Sequence, residues 1–312
     1  MAKVTVVGSG FVGMTTAQRV AEEDLADVCL IDVIEGKPQG IALDLMQSGP
    51  VQGYSSRIQG TNDPKDTDGS DLFIVTAGVP RKPGMDRSDL LDVNARIIQA
   101  VAGYIRTGSP NAIVIVVTNP LDTMVYLMRA LLNADERRVI GMAGVLDSAR
   151  YRAFIAMELD VSPECVHAMV MGGHGDSMVP LPRYSTVSGI SIEQLLPMDR
   201  IDALNQRTRD GGAEIVNLLR SGSAYYAPAA ASVEMARSIL KHQRRLLPCA
   251  AYLRGQYGLS DIYLGVPCIL GRAGVEKIIE LKLEPAELSS LKTSAEAIKK
   301  DLNILETKGY LG

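Results

Sequence analysis

The chain lacks the features that mark several common functions. Its four cysteines, Cys29, Cys165, Cys249 and Cys268, are widely separated and form no CxxC pair. That spacing argues against a zinc site or a thioredoxin-type redox centre, and no metal is expected. Three of them lie in or beside apolar runs, as buried thiols do. No apolar run reaches the roughly 20 residues that cross a bilayer. Met1-Ala2-Lys3 leads directly into a strand pattern with no signal-peptide layout, so the expectation is a cytoplasmic chain without a membrane partner. There is no basic excess: 32 basic against 36 acidic residues give a net charge of -4, which excludes a general nucleic-acid binder but not a local basic pocket. Internal repeats and low-complexity linkers are also missing. Histidine is scarce, with three in the chain.

What is present is a full complement of core-forming residues. The chain has 312 residues, of which 46% are hydrophobic, enough for one large domain or two medium ones. In the first half, short apolar runs alternate with helical stretches. Strands are expected at 4–7, 28–33, 72–77 and 112–118, and helices at 11–23, 40–46 and 88–107. Near-continuous apolar strands suit a parallel sheet covered on both faces, so the pattern predicts a doubly wound α/β unit. Beyond Gly141 the texture changes. Helices are expected at 147–158, 201–220, 227–242 and 285–305, with strands at 166–171, 247–253 and 263–270. The division is placed near residue 145, with 1–145 as one domain and 146–312 as an α+β second domain, and the site between them.

Gly8-Ser9-Gly10-Phe11-Val12-Gly13 matches G-x-G-x-x-G between a strand and a helix. Gly8 suits the tight turn, Gly10 the close approach of a pyrophosphate, and Gly13 the packing of helix on strand. The helix N-terminus adds free N–H groups and a positive dipole end. The next strand ends at Asp32, about 20 residues on, where an acid meets the adenosine ribose. A carboxylate there repels a 2′-phosphate, so NAD is favoured over NADP.

Four further segments carry chemistry. The Val79–Arg87 loop follows the third strand and holds Arg81, Lys82 and Arg87. It reads either as a lid over an anionic substrate or as a solvated loop. Val117-Thr118-Asn119-Pro120 ends the fourth strand, where Asn119 offers a carbonyl and an amide or merely terminates the strand. Asp147 and Arg150 share a helix face, as a plain surface ion pair or as two separate tools. The tools would be a planar fork for a carboxylate and an acid that orients a histidine. The last segment is Met171-Gly172-Gly173-His174-Gly175-Asp176, a histidine in a glycine turn. Histidine titrates near neutrality and moves a proton at little cost, though a loop histidine is the plainer reading of the fragment alone.

Taken in order along nearly the whole chain, these segments resemble the lactate/malate dehydrogenase family, and most closely its lactate-dehydrogenase-like malate dehydrogenases. The resemblance implies an N-terminal Rossmann-type domain, a catalytic C-terminal domain and NAD as cofactor. It implies His174 as general acid/base with Asp147 as its partner. Arg150 is expected on the substrate's C1 carboxylate, Arg87 on the reacting carbonyl and Asn119 on substrate and cofactor together. Asn94 and the Val117–Thr118–Asn119 backbone are expected along the cofactor. Arg81 stands where the similar lactate enzymes carry glutamine, which implies malate and oxaloacetate as substrates, since an enclosed arginine needs the second carboxylate. A homodimer or homotetramer is implied. The alternatives are a lactate or other 2-hydroxy-acid dehydrogenase and a non-catalytic NAD-sensing module.

Overall fold

Residues 1–80 and 86–311 are described by a computed structural model. The first part alternates Lys3–Val7 (β1), Phe11–Glu22 (α1), Asp27–Ile31 (β2), Lys37–Gln52 (α2) and Ile58–Thr61 (β3). It continues through Leu72–Val75 (β4), Arg87–Gly108 (α3), Ile113–Val116 (β5), Leu121–Leu132 (α4) and Val139–Gly141 (β6). These strands are parallel in the order β3-β2-β1-β4-β5-β6. The order reverses between β1 and β4, so their connections leave to opposite faces and open a crevice at the strands' carboxyl ends. The fully apolar β4 and β5 feed two cores. Ile74 and Ile115 face a cluster with Ala17 and Val20 of α1, while Phe73 and Val114 face one with Ile98 of α3 and Met124 of α4.

The second part runs Gly144–Leu159 (α5), Val166–His167 (β7), Val170–Met171 (β8), Val179–Pro180 (β9), Thr186–Val187 (β10) and Ile190–Ser191 (β11). Then come Ile192–Leu195 (α6), Met198–Leu219 (α7), Tyr226–Leu240 (α8), Arg245–Arg254 (β12), Ser260–Gly271 (β13), Gly274–Ile278 (β14) and Pro285–Thr307 (α9). β12, β13 and β14 continue the main sheet in antiparallel fashion beyond β6, with Ala250 paired to Gly141. Backbone pairing therefore crosses the expected division at residue 145.

Several elements depart from the sequence pattern. The single strand expected at 166–171 is two short strands in different sheets. β3, α4, β6 and β14 are additional. Seven of the first eight residues of α4 are buried, the polar Asp122 and Thr123 among them, so its polar positions do not mark a solvent face. Gly60 in β3 has a different cause: a Cβ there would lie 2.1 Å from the Pro38 carbonyl oxygen, so α2 packs directly on its backbone.

Candidate active site

The glycine turn between β1 and α1 is built as its spacing implies. Gly8 has φ +98°, a region open mainly to glycine, and a Cβ on Gly13 would sit 1.8 Å from the Gly8 carbonyl oxygen. A Cβ on Gly10 would meet no atom within 4 Å, because Gly10 faces a cavity of about 550 Å³. No side chain caps α1, so its N-terminal N–H groups remain available to an anion. An open wall at Gly10, a close-packed turn at Gly13 and an uncapped helix fit a pyrophosphate. Phe11, Val12, Val117, Thr118 and Asn119 line the same cavity. The Phe11 ring, 59% exposed, stacks on Tyr225 at 5.1 Å across the cleft.

Asp32 ends β2 beside this turn. Its Oδ2 accepts from the Ser9 backbone N–H at 2.6 Å and the Ser9 hydroxyl at 2.7 Å, and its Oδ1 accepts from the Ile34 N–H at 3.0 Å. Partial burial raises its pKa, but these donors and Lys37 lower it further, leaving it below the usual carboxylate value. A carboxylate has about four lone-pair sites, so three donors leave little for two ribose hydroxyls unless Ser9 yields. Asp32→Ala is therefore expected to weaken NADH binding and relax the preference over NADPH. Unchanged affinity for both in a fluorescence titration would remove Asp32 from the ribose site.

Asn94 holds a different place from the one expected. It is 1% exposed and absent from the cavity lining. Its Oδ1 accepts from the Val79 N–H at 2.9 Å, and its Nδ2 donates to the Val79 and Asn119 carbonyls at 3.2 and 2.6 Å. Both ends of the amide join the backbones after β4 and β5, so Asn94 shapes the wall rather than forming it.

His174 and Arg150 line the same cavity. β8 delivers the glycine turn, where Gly172 at φ +85° and Gly175 at φ +132° bracket His174. The His174 Nδ1 lies 2.9 Å from Asp147 Oδ2, on α5. A carboxylate only accepts, so Nδ1 carries the proton and Nε2 is the free nitrogen. Burial pushes the imidazole's pKa down, while the charge and hydrogen bond of Asp147 push it up by more, so the net shift is upward. Asp147 also reaches Arg150, whose Nη1 donates to Oδ1 at 3.3 Å. The Arg150 side chain is 12% exposed, and its Nε is buried without a partner among the described residues. Gly211 and Gly212 of α7 make room for it; a Cβ on Gly211 would lie 3.3 Å from its Cδ. The surface ion pair of the plainer reading is thus an interior arrangement, with a fork left largely free beside a histidine.

One expected residue, Arg87, does not join this group. Arg87 opens α3, and its Nε and Nη2 both donate at 2.6 Å to the Asp301 carboxylate on α9. Arg81 lies outside the described residues. Two residues escaped the sequence reading. Ser294 of α9 accepts the Gly173 N–H at 2.7 Å, and Asp122 of α4 accepts the His174 N–H at 2.9 Å. Neither has a sequence neighbour that links it to the histidine.

The arrangement joins a dinucleotide cradle to a carboxylate fork and a proton carrier. The lactate/malate dehydrogenase NAD binding domain matches residues 2–141, and the α/β C-terminal domain of the same family matches residues 144–308. The chain belongs to the lactate/malate dehydrogenase family. A malate dehydrogenase from Roseiflexus sp. (strain RS-1) is 54% identical over 304 residues, 97% of this chain and 98% of the relative. The malate dehydrogenase of Picrophilus torridus in its apo form superposes with a TM-score of 0.96 at 44% identity, over 98% of both chains. A Cryptosporidium parvum lactate dehydrogenase, solved with lactic acid and NAD, does so at 0.94 and 43%, again over 98% of both. Lactate and malate dehydrogenases thus share this backbone, and the family fold by itself does not select the substrate.

Proposed function

We propose that this chain is an NAD-dependent malate dehydrogenase catalysing (S)-malate + NAD⁺ ⇌ oxaloacetate + NADH + H⁺. The observation that carries the reading is that His174 and Arg150, both bonded to Asp147, line the same cavity as Gly10. The Gly8–Gly13 turn and Asp32 would hold NAD, which would supply the acceptor, or in reverse the donor, of the C2 hydride. His174 Nε2 takes the C2 hydroxyl proton in oxidation and supplies it in reduction. Asp147 holds the ring in the required tautomer and favours its charged form. Arg150 grips the C1 carboxylate with its planar fork. Arg87 is assigned to the developing charge on the C2 oxygen, a role that requires it to leave Asp301. Asn119, on the cavity wall after β5, is assigned to substrate and cofactor together.

Arg81 is assigned to the second carboxylate of malate or oxaloacetate. Around pyruvate, which has only one, an enclosed arginine lacks its partner. Arg81→Gln is expected to lower kcat/KM on oxaloacetate and raise it on pyruvate, moving their ratio by roughly 10³ or more. The loss of NADH absorbance with each substrate measures this. An unmoved ratio refutes the assignment and favours a broader 2-hydroxy-acid dehydrogenase.

We also place the functional division at 1–145 and 146–312, and assign the protein to the cytoplasm, to the tricarboxylic acid cycle and to a homotetramer or homodimer. The apolar side chains exposed on α2, Leu43, Met46 and Val51, support assembly. No described helix is long and apolar enough to cross a membrane.

A further inference from the structure

Asp122 is a buried carboxylate beside His174 that the mechanism above leaves unused. It lies in the first turn of α4 and is 4% exposed. Its Oδ2 accepts the backbone N–H of His174 at 2.9 Å, across 52 residues of sequence. Its Oδ1 is buried with no hydrogen-bond partner among the described residues. A carboxylate with one oxygen satisfied and the other bare is an expensive thing to enclose, so a merely structural acceptor for one N–H is better met by an amide or a hydroxyl. We propose that Asp122 is a positioning residue for His174, pinning the turn that carries the ring and placing a second carboxylate behind the His174–Asp147 pair. The proposal rests on the reading of His174 as the acid/base.

The charged neighbours are consistent with that role. From α5, Asp147 and Arg150 face the histidine; from α4, Asp122 does. Asp176 on the same turn and Arg209 and Asp210 on α7 line the cavity beyond it. Asp122 and Asp147 favour the imidazolium, while Arg150 opposes it. Burial raises the Asp122 pKa, and the hydrogen bond and charge of His174, with the residue's own backbone N–H, draw it only partly back, leaving it at about 6. The two groups therefore titrate as a coupled set. Helix α4 carries the other half of the device, since it begins directly after Asn119-Pro120. One helix N-terminus thereby ties the substrate-facing asparagine to the histidine turn.

Two variants separate the pin from the charge. Asp122→Asn keeps an acceptor for the His174 N–H and removes the charge; Asp122→Ala removes both. Removing the charge lowers the His174 pKa, so in D122N the alkaline limb of oxaloacetate reduction and the acid limb of malate oxidation both move down, by roughly half a unit to one unit. Losing the pin lowers kcat in D122A at least about tenfold below that of D122N. NMR titration of the His174 ring reads the same shift without turnover. With three histidines in the chain, His174→Asn assigns the resonance. A ring midpoint in D122N equal to that of wild type overturns the proposal, and so does equal kcat in the two variants. Should D122N fail to fold, the wild-type ring must show a second, acid-side inflection from Asp122, and a single inflection overturns the proposal. Turnover retained in H174N refutes the acid/base reading itself, a result distinct from all of these.

Discussion

His174→Asn is expected to leave a folded protein that binds NADH and has lost turnover by roughly 10³-fold or more, in the range of a positioned acid/base. Asparagine keeps a polar group of similar reach but cannot accept and hold a proton. The buried Asp147 then faces an amide where an imidazolium formed. NADH binding should change little, because the cradle is built by the turn between β1 and α1, whereas His174 is carried by the turn after β8. The chain has no tryptophan, so the fluorescence of NADH itself is the cleaner titration signal. Near-normal turnover with oxaloacetate would show that another group moves the proton. A pH effect accompanies this. The folded-state pKa of His174 is raised above its ordinary 6.5, so its contribution to stability is complete below pH 6.5 and is lost as pH rises through the folded-state value. The stability gap between wild type and H174N should shrink along that rise, as denaturant titrations at several pH values would report. A gap that widens with pH has the wrong sign for the Asp147 pairing.

Arg150→Gln should lower kcat/KM for oxaloacetate by roughly 10³-fold, about 4 kcal/mol of transition-state stabilisation. Two charge-assisted hydrogen bonds to a carboxylate account for that amount, at about 2 kcal/mol each. The geometry supports so large an effect. The guanidinium is 12% exposed, its one contact with Asp147 is a long 3.3 Å, and its Nε is buried without a partner among the described residues. A cation held in this condition is poised for an anion that completes its hydrogen bonds. Arg150→Lys keeps the charge without the fork and should still lose about 10². Affinity for NADH should hold in both variants. A kcat/KM within about threefold of wild type in R150Q would move the C1 carboxylate site elsewhere.

The sequence was most informative where the chemistry is local. The G-x-G-x-x-G turn, the acid at the end of the next strand and the glycines around His174 each lie within a few residues of one another, and backbone sterics alone restrict what such glycines do. Pairing Asp147 with Arg150 was legible because they are three apart on one helix. Elements the sequence reading missed were those whose polar residues are buried, such as α4 with Asp122 and Thr123, or with glycine where a side chain should be, such as β3. Asn94 shows a subtler limit. Its position beside the crevice followed from the family resemblance, but its partners, the Val79 and Asn119 backbones, could be known only once two strand ends were side by side.

Sequence alone therefore settled the class of this protein. It specified a dinucleotide cradle followed by an acid, an asparagine, an arginine and a histidine in the order the family uses. Tertiary structure decided which of those side chains converge. It placed His174 on Asp147, left Arg150 with an unfilled fork and paired Arg87 with Asp301, 214 residues away. It also added Asp122 to the histidine turn. The physical reason is that a lone charge or proton carrier in the chain has no fixed partner. Its partner is set by burial, and burial depends on how distant helices pack across the sheet.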